Sequence, residues 1–305
     1  MRIGIMSGHG RQDEDLDTLV VKAQDLERRG FATMWIANIF AIEGITAAAI
    51  VGRETERIEL GTAVVPSFPR HPTVMAQQTL TAQSACGGRF TLGIGLSHQI
   101  VIETILGMSY ERRAKHMREY LDVLMPLLRG EKAETKGEEY AVNLELTVPD
   151  TRPTACLIAA LGPQMLKIAG RQADGTILWM TGEKTVTEHV APTIRDAAEA
   201  AGRATPRIVA GLPIVLTDAA HDEATCRGKI GEIMAHYGMI PSYRGMLDRE
   251  GVAGPGDVAL VGDASQLDAA LDRLAAAGVT DFDAALIPTD ETAEARTLEY
   301  LEGRL

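Results

Sequence analysis

Two imidazoles stand where a proton could change hands near neutral pH: His98, closing the run RFTLGIGLSHQ from Arg89 to Gln99, and His9, in the loop Ser7-Gly8-His9. Histidine titrates at about pH 6.5, which suits a proton donor or acceptor beside a reacting bond. Gly93 and Gly95 match the start of G-x-G-x-x-G, but His98 holds the place of the third glycine. A dinucleotide loop also wants an acidic residue about 20 positions further on, after a second strand. The chain has the charged, helix-like RRAKHMREY there instead. The run therefore reads as a strand delivering His98 to a site.

The elements that would carry such a site alternate along the chain. RIGIM, FATMWIA, IELGTAVV, RFTLGIG, TACLIAAL, DGTILWM, RIVAGLPIVLT and DFDAALIP are short, largely apolar runs, and amphipathic stretches separate them. Such runs suit parallel strands covered by helices. Eight strand–helix units without a linker predict an α/β fold, a single-domain (β/α)8 TIM barrel over residues 1–305. Two segments exceed simple connections and read as insertions: a polar hairpin or lid at about 131–150, and a Gly- and Pro-rich loop at about 240–262.

In a barrel the chemistry gathers where strands end. Those ends supply Asn38, Ala63-Val64, Gly95-Leu96-Ser97-His98, Ala160-Leu161-Gly162 and Met180-Thr181-Gly182. His98 is the catalytic candidate, with His9 and Trp179 as substrate-side candidates. Trp35 reads as core packing. His116, His189, His221 and His236 fall on helical stretches, facing solvent or packing. Arg70-His71-Pro72 opens a helix, with Pro72 at its first position.

With 46% hydrophobic and 24% charged residues, a sizeable core is expected. A net charge of −12 disfavours nucleic acid and anionic membranes as partners, leaving a small-molecule substrate. Three distant cysteines, Cys86, Cys156 and Cys226, read as buried packing residues. No metal-ligand spacing occurs, and no metal is expected. With neither a membrane-length apolar run nor a signal-peptide start, the chain reads as cytoplasmic.

The stretch IELGTAVVPSFPRHPTVMAQQTLTAQSACGGRFTLGIGLSHQ, with AALGP and ADGTILWMTG, resembles the luciferase-like flavin or deazaflavin oxidoreductases, specifically the branch using coenzyme F420. The resemblance covers almost the whole chain. It implies a non-prolyl cis peptide at Ala63–Val64 behind the cofactor ring. Phosphate contacts are implied at Ala160, Leu161 and Gly162 and at Thr181 and Gly182, with a helix beginning near Pro163 aimed at the phosphate. Asn38, Gly95, Ser97 and Met180 complete the expected cofactor site. A homodimer is also implied.

Two positions depart from that pattern. Many F420 relatives carry Asp-His where this chain has Asn38-Ile39, and sugar-phosphate-oxidising relatives carry a glutamate where it has His98. The expected activity is hydride transfer between F420 and a small organic substrate, with the reductase direction preferred. An FMN-dependent monooxygenase and a non-catalytic F420-binding protein remain alternatives.

Overall fold

The predicted strands are apolar because they are buried on both faces. The computed structural model describes residues 1–8 and 14–305. Its eight barrel strands are β1 Arg2–Ser7, β2 Thr33–Ile36, β3 Glu59–Thr62, β4 Phe90–Gly95, β5 Cys156–Ile158, β6 Gly175–Trp179, β7 Arg207–Leu216 and β8 Asp281–Leu286. Each pairs in parallel with the next. β8 pairs back onto β1, with Asp281 opposite Arg2 and Ala284 opposite Ile5. The ring is closed, a (β/α)8 TIM barrel.

Helices on the outside start and stop where local chemistry dictates. Asp15 accepts the Thr18 N–H at the head of Leu16–Arg29, and Gly30, at φ 94°, ends that helix. His71 caps Pro72–Ala85 through the Thr73 N–H, with Pro72 in the first turn. Asp263 and Gln266 form a reciprocal capping box on Ala264–Ala277. Such caps satisfy donors that a helix start leaves without partners.

The segment at 131–150 contains the antiparallel hairpin Ala133–Lys136 and Ala141–Leu144. The segment at 240–262 divides into the helices Pro241–Glu250 and Pro255–Val258 and a short strand, Leu260–Gly262, that extends the sheet beside β7. Cys86, Cys156 and Cys226 are buried and unbridged.

Inside the barrel, the lower end is sealed by charge. The Arg207 guanidinium donates to both oxygens of Asp281, at 2.9 and 2.7 Å, and to Glu59 at 2.6 Å. It also lies over the Trp35 ring, 5.3 Å from its centroid. Trp35 is fully buried and packs with Leu157, Ile177 and Val209, the apolar layer above the ion pairs. Trp35 is thus core, as expected.

Removing one partner from such a buried set leaves uncompensated charge, which costs more than the pairing gains. Asp281's side chain is only 3% exposed. Arg207→Ala is expected to destabilise the fold by about 3–5 kcal/mol in urea denaturation. A loss under 1 kcal/mol would mean that the seal carries little of the stability.

Candidate active site

The upper ends of the strands open into a cavity of about 1680 Å³. Ligand pockets usually measure roughly 300–1,000 Å³, so this one has room for a cofactor and a substrate together. Its shape begins with a detour in the third strand. β3 pairs with β4 through Leu60 opposite Phe90 and Gly61 opposite Thr91, and pairing resumes with Val65 opposite Ile94 and Pro66 opposite Gly95. Between them Ala63–Val64 swings into the cavity, and its peptide bond is cis.

Gly93 and Gly95 permit this detour. Thr62 Oγ1 accepts the Gly93 N–H at 2.8 Å and donates to the Gly93 carbonyl at 2.9 Å, replacing the ladder where β3 departs. A Cβ on Gly93 would collide with the Thr62 carbonyl oxygen, and one on Gly95 would lie 2.8 Å from a Val64 methyl. The two glycines serve close backbone packing, not a phosphate loop. Beyond the detour, Ser67 hydrogen-bonds His116 Nε2 at 2.9 Å, and Phe68 stacks on that ring at 4.0 Å. Burial pushes His116 down to about 4, so it is a neutral structural clamp.

His98 lies on the cavity wall, half-buried, one residue after Ser97, which adopts φ 61°. Tyr110 donates its hydroxyl to the Ser97 carbonyl at 2.7 Å and fixes that turn. Desolvation, and secondarily the charge of His236, holds His98 below its usual value. Its ring meets the edge of Tyr243 at 5.6 Å. Tyr243 meets Tyr237 at 5.2 Å, and Tyr237 meets Trp179 at 5.8 Å. This aromatic row spans the mouth from β4 to β6.

A third wall is suited to negative charge. Leu161, Gly162, Pro163 and Gln164 line the cavity at the start of the helix Pro163–Gln172, and a Cβ on Gly162 would meet nothing within 4 Å. His189 Nε2–H donates to the Leu161 carbonyl at 2.8 Å and fixes this loop. Arg112, Arg113, Lys115, Arg118 and Arg249 also line the cavity. Among the described residues Arg113, Arg118 and Arg249 have no ion-pair partner, although the chain carries a net −12.

Residues 1–301 match the model of the luciferase-like monooxygenase family. The chain belongs to that family. An F420-dependent glucose-6-phosphate dehydrogenase of Kineococcus radiotolerans is 30% identical over 211 residues, 64% of this chain and 62% of the relative. Among solved structures, the F420-dependent tetrahydromethanopterin reductase of Methanopyrus kandleri superposes with a TM-score of 0.77 at 18% identity, covering 99% of this chain and 97% of that one. A type II Baeyer–Villiger monooxygenase from Pseudomonas putida, bound to FMN, gives a TM-score of 0.76 at 14% identity, covering 99% and 96%.

This member of the luciferase-like family brings Asn38, Ala63, Val64, Gly95, Ser97, His98, Leu161, Gly162 and Trp179 to one cavity. Asn38 Oδ1 accepts the Gly44 N–H at 2.9 Å, which leaves its amide –NH2 as the donor available to a ligand. His9 lies outside the described residues. Ala160 and Met180 are fully buried behind the wall. Thr181 is buried as well and donates its hydroxyl to the Trp179 carbonyl at 3.2 Å.

Gly182 faces a separate cavity of about 450 Å³ and packs on the Glu250 carboxylate. Glu250 accepts the N–H groups of Lys184 and Thr185 at 3.1 and 2.9 Å. That helix start already holds an anion, so the expected phosphate cradle at Thr181–Gly182 is closed. Of the two expected positions, Leu161 and Gly162 line the main cavity.

Sequence reasoning missed His236, Tyr237, Tyr243, Asp283 and the basic rim. His236 was expected on solvent or in packing, yet it lines the mouth. The only sequence signal for these residues was the unusual length of the segment that carries Tyr243.

Because Gly93 admits no side chain against Thr62, Gly93→Ala is expected to cost about 1–3 kcal/mol by overpacking. It should also weaken ligand binding in the cavity. Thermal melting and a ligand titration on the same variant check this, and unchanged values for both would contradict the role given to the glycine.

Proposed function

We propose that this chain is an F420-dependent oxidoreductase that moves a hydride between the deazaflavin and a small alcohol–carbonyl substrate pair. One observation carries the reading: His98, an imidazole of lowered proton affinity with no hydrogen-bond partner for its ring among the described residues, shares a cavity with the Ala63–Val64 detour and an anion-ready wall. The 30% identity to an F420-dependent dehydrogenase supports it.

The residues present fit the cofactor. A flat ring has an apolar back wall in Ala63 and Val64, and an anionic tail has the open Gly162 corner, the helix start behind it and the arginine rim. When bound, F420 supplies two-electron chemistry, accepting or giving a hydride. The protein's own share is to orient the substrate, exclude water and manage one proton.

At neutral pH the His98 imidazole is neutral and accepts a proton. It suits removal of the hydroxyl proton from an alcohol as hydride leaves the same carbon. In the reverse direction the protonated ring returns that proton to the developing alkoxide. The row formed by Tyr243, Tyr237 and Trp179 borders the substrate space and keeps it apolar.

Titration of the purified chain with F420 and with FMN tests the cofactor. Fluorescence is expected to report F420 binding in the micromolar range, about 8 kcal/mol. Binding of FMN alone would turn the reading to a monooxygenase. For the substrate step, kcat/KM for F420-linked alcohol oxidation is expected to fall as pH drops through the lowered His98 value, because a base must be unprotonated. His98→Ala should lose about 10²–10⁴-fold in rate and also lose that acid limb. An unchanged rate and profile in the variant would remove His98 from the proton step, whereas F420 binding with no turnover of any substrate would leave only a cofactor-binding protein.

A further inference from the structure

The cavity ends on a carboxyl that none of the described residues satisfies. Asp283, on β8, lines the cavity, is fully buried, and neither of its oxygens has a hydrogen-bond partner among the described residues. Its sister Asp281, two residues below, is held by Arg207, which is already committed to the lower seal. Both strand neighbours of Asp283 in register are glycines, Gly4 on β1 and Gly211 on β7. The two register neighbours therefore bring no side chain of their own beside the carboxyl.

What approaches that space is ring and thioether. A Cβ on Gly4 would lie 3.1 Å from Trp35 Nε1, a second buried donor without a partner. A Cβ on Gly211 would lie 3.0 Å from the Trp179 ring and 3.2 Å from the Met6 methyl. Met6 also lines the cavity, and an unbranched thioether is the side chain most easily displaced by a ligand.

An unsatisfied buried carboxyl is costly, about 1–3 kcal/mol or more. Pure packing would place a leucine there. We propose that Asp283 is a ligand-binding residue, the polar floor of the cavity, where its carboxyl donates a hydrogen bond to a carbonyl-type acceptor on the cofactor ring or the substrate. Burial first, and the charge of Asp281 second, raise Asp283 well above the usual carboxylate range, so it keeps its proton.

This rests on reading the cavity as a cofactor and substrate site, and the test keeps the two apart. In the ligand-free full chain, the infrared difference between wild type and Asp283→Asn should show the carbonyl stretch of a protonated carboxylic acid. Asp283→Leu should melt higher than wild type, because it removes an unsatisfied polar group; a purely structural carboxyl would make it melt lower. F420, FMN and a cyclic ketone are then added in turn. The probe whose carbonyl meets Asp283 shifts the acid band and binds about tenfold more weakly to Asp283→Leu, with Asp283→Asn, which keeps a donor, largely restoring affinity.

A shift with F420 alone assigns the cofactor ring as the acceptor, and one with the ketone assigns the substrate. Absence of the acid band, a lower melting temperature for Asp283→Leu, or no shift with any probe overturns the proposal. Failure of F420 to bind, with the acid band and the higher melting intact, would fault the cofactor reading only.

Discussion

The close approach of the third and fourth strands is the constraint on which the site depends. With no side chain on Gly93, the Thr62 hydroxyl reaches both the N–H and the carbonyl of that residue and takes over the role of the ladder. The third strand is then free to leave the sheet for two residues and rejoin it at Val65. That detour places Ala63–Val64 in the cavity. Gly95 leaves the clearance Val64 needs, and the Ser67–His116 pair, stacked under Phe68, holds the returning chain from outside. A neutral His116 does this without bringing a charge into the core.

Polarity is layered along the barrel axis. At the bottom, Arg207 and Arg2 together balance Glu59 and Asp281. Above them Trp35, Leu157, Ile177 and Val209 fill the lumen as any barrel core does. Asp283 then breaks the apolar order just where the cavity begins, and the mouth ends in aromatic rings and arginines. Asp283 and Trp179, which both carry buried polar atoms without a partner among the described residues, line that cavity, and local rules are broken most readily at functional sites.

The two helix starts after β5 and β6 show how similar sequence signals diverge. Both begin after a glycine, at Pro163 and at Glu183. The second receives Glu250 from a helix about 65 residues further on, and its N–H groups are spent internally. Among the described residues the first receives no such carboxylate, and it opens on the cavity. A local motif states that a helix start can hold an anion; only the chain's own distant residues decide whether one is already there.

The periodicity of apolar runs was enough to specify eight strands, their parallel order and their closure, because burial on both faces leaves a local mark on every strand. Strand ends inherit their place at the mouth from that order, so His98, Asn38, Leu161 and Gly162 were legible from the letters alone. Tertiary structure decided the rest. Asp283 looks like any polar residue in the run DFDAALIP until closure turns it inward between two glycines of other strands. The tyrosines at 237 and 243 and the arginine rim reach the mouth through helices whose placement depends on long-range packing. Sequence periodicity records which face of an element is buried, whereas a site depends on which distant side chains meet there, and that is set only when the ring closes.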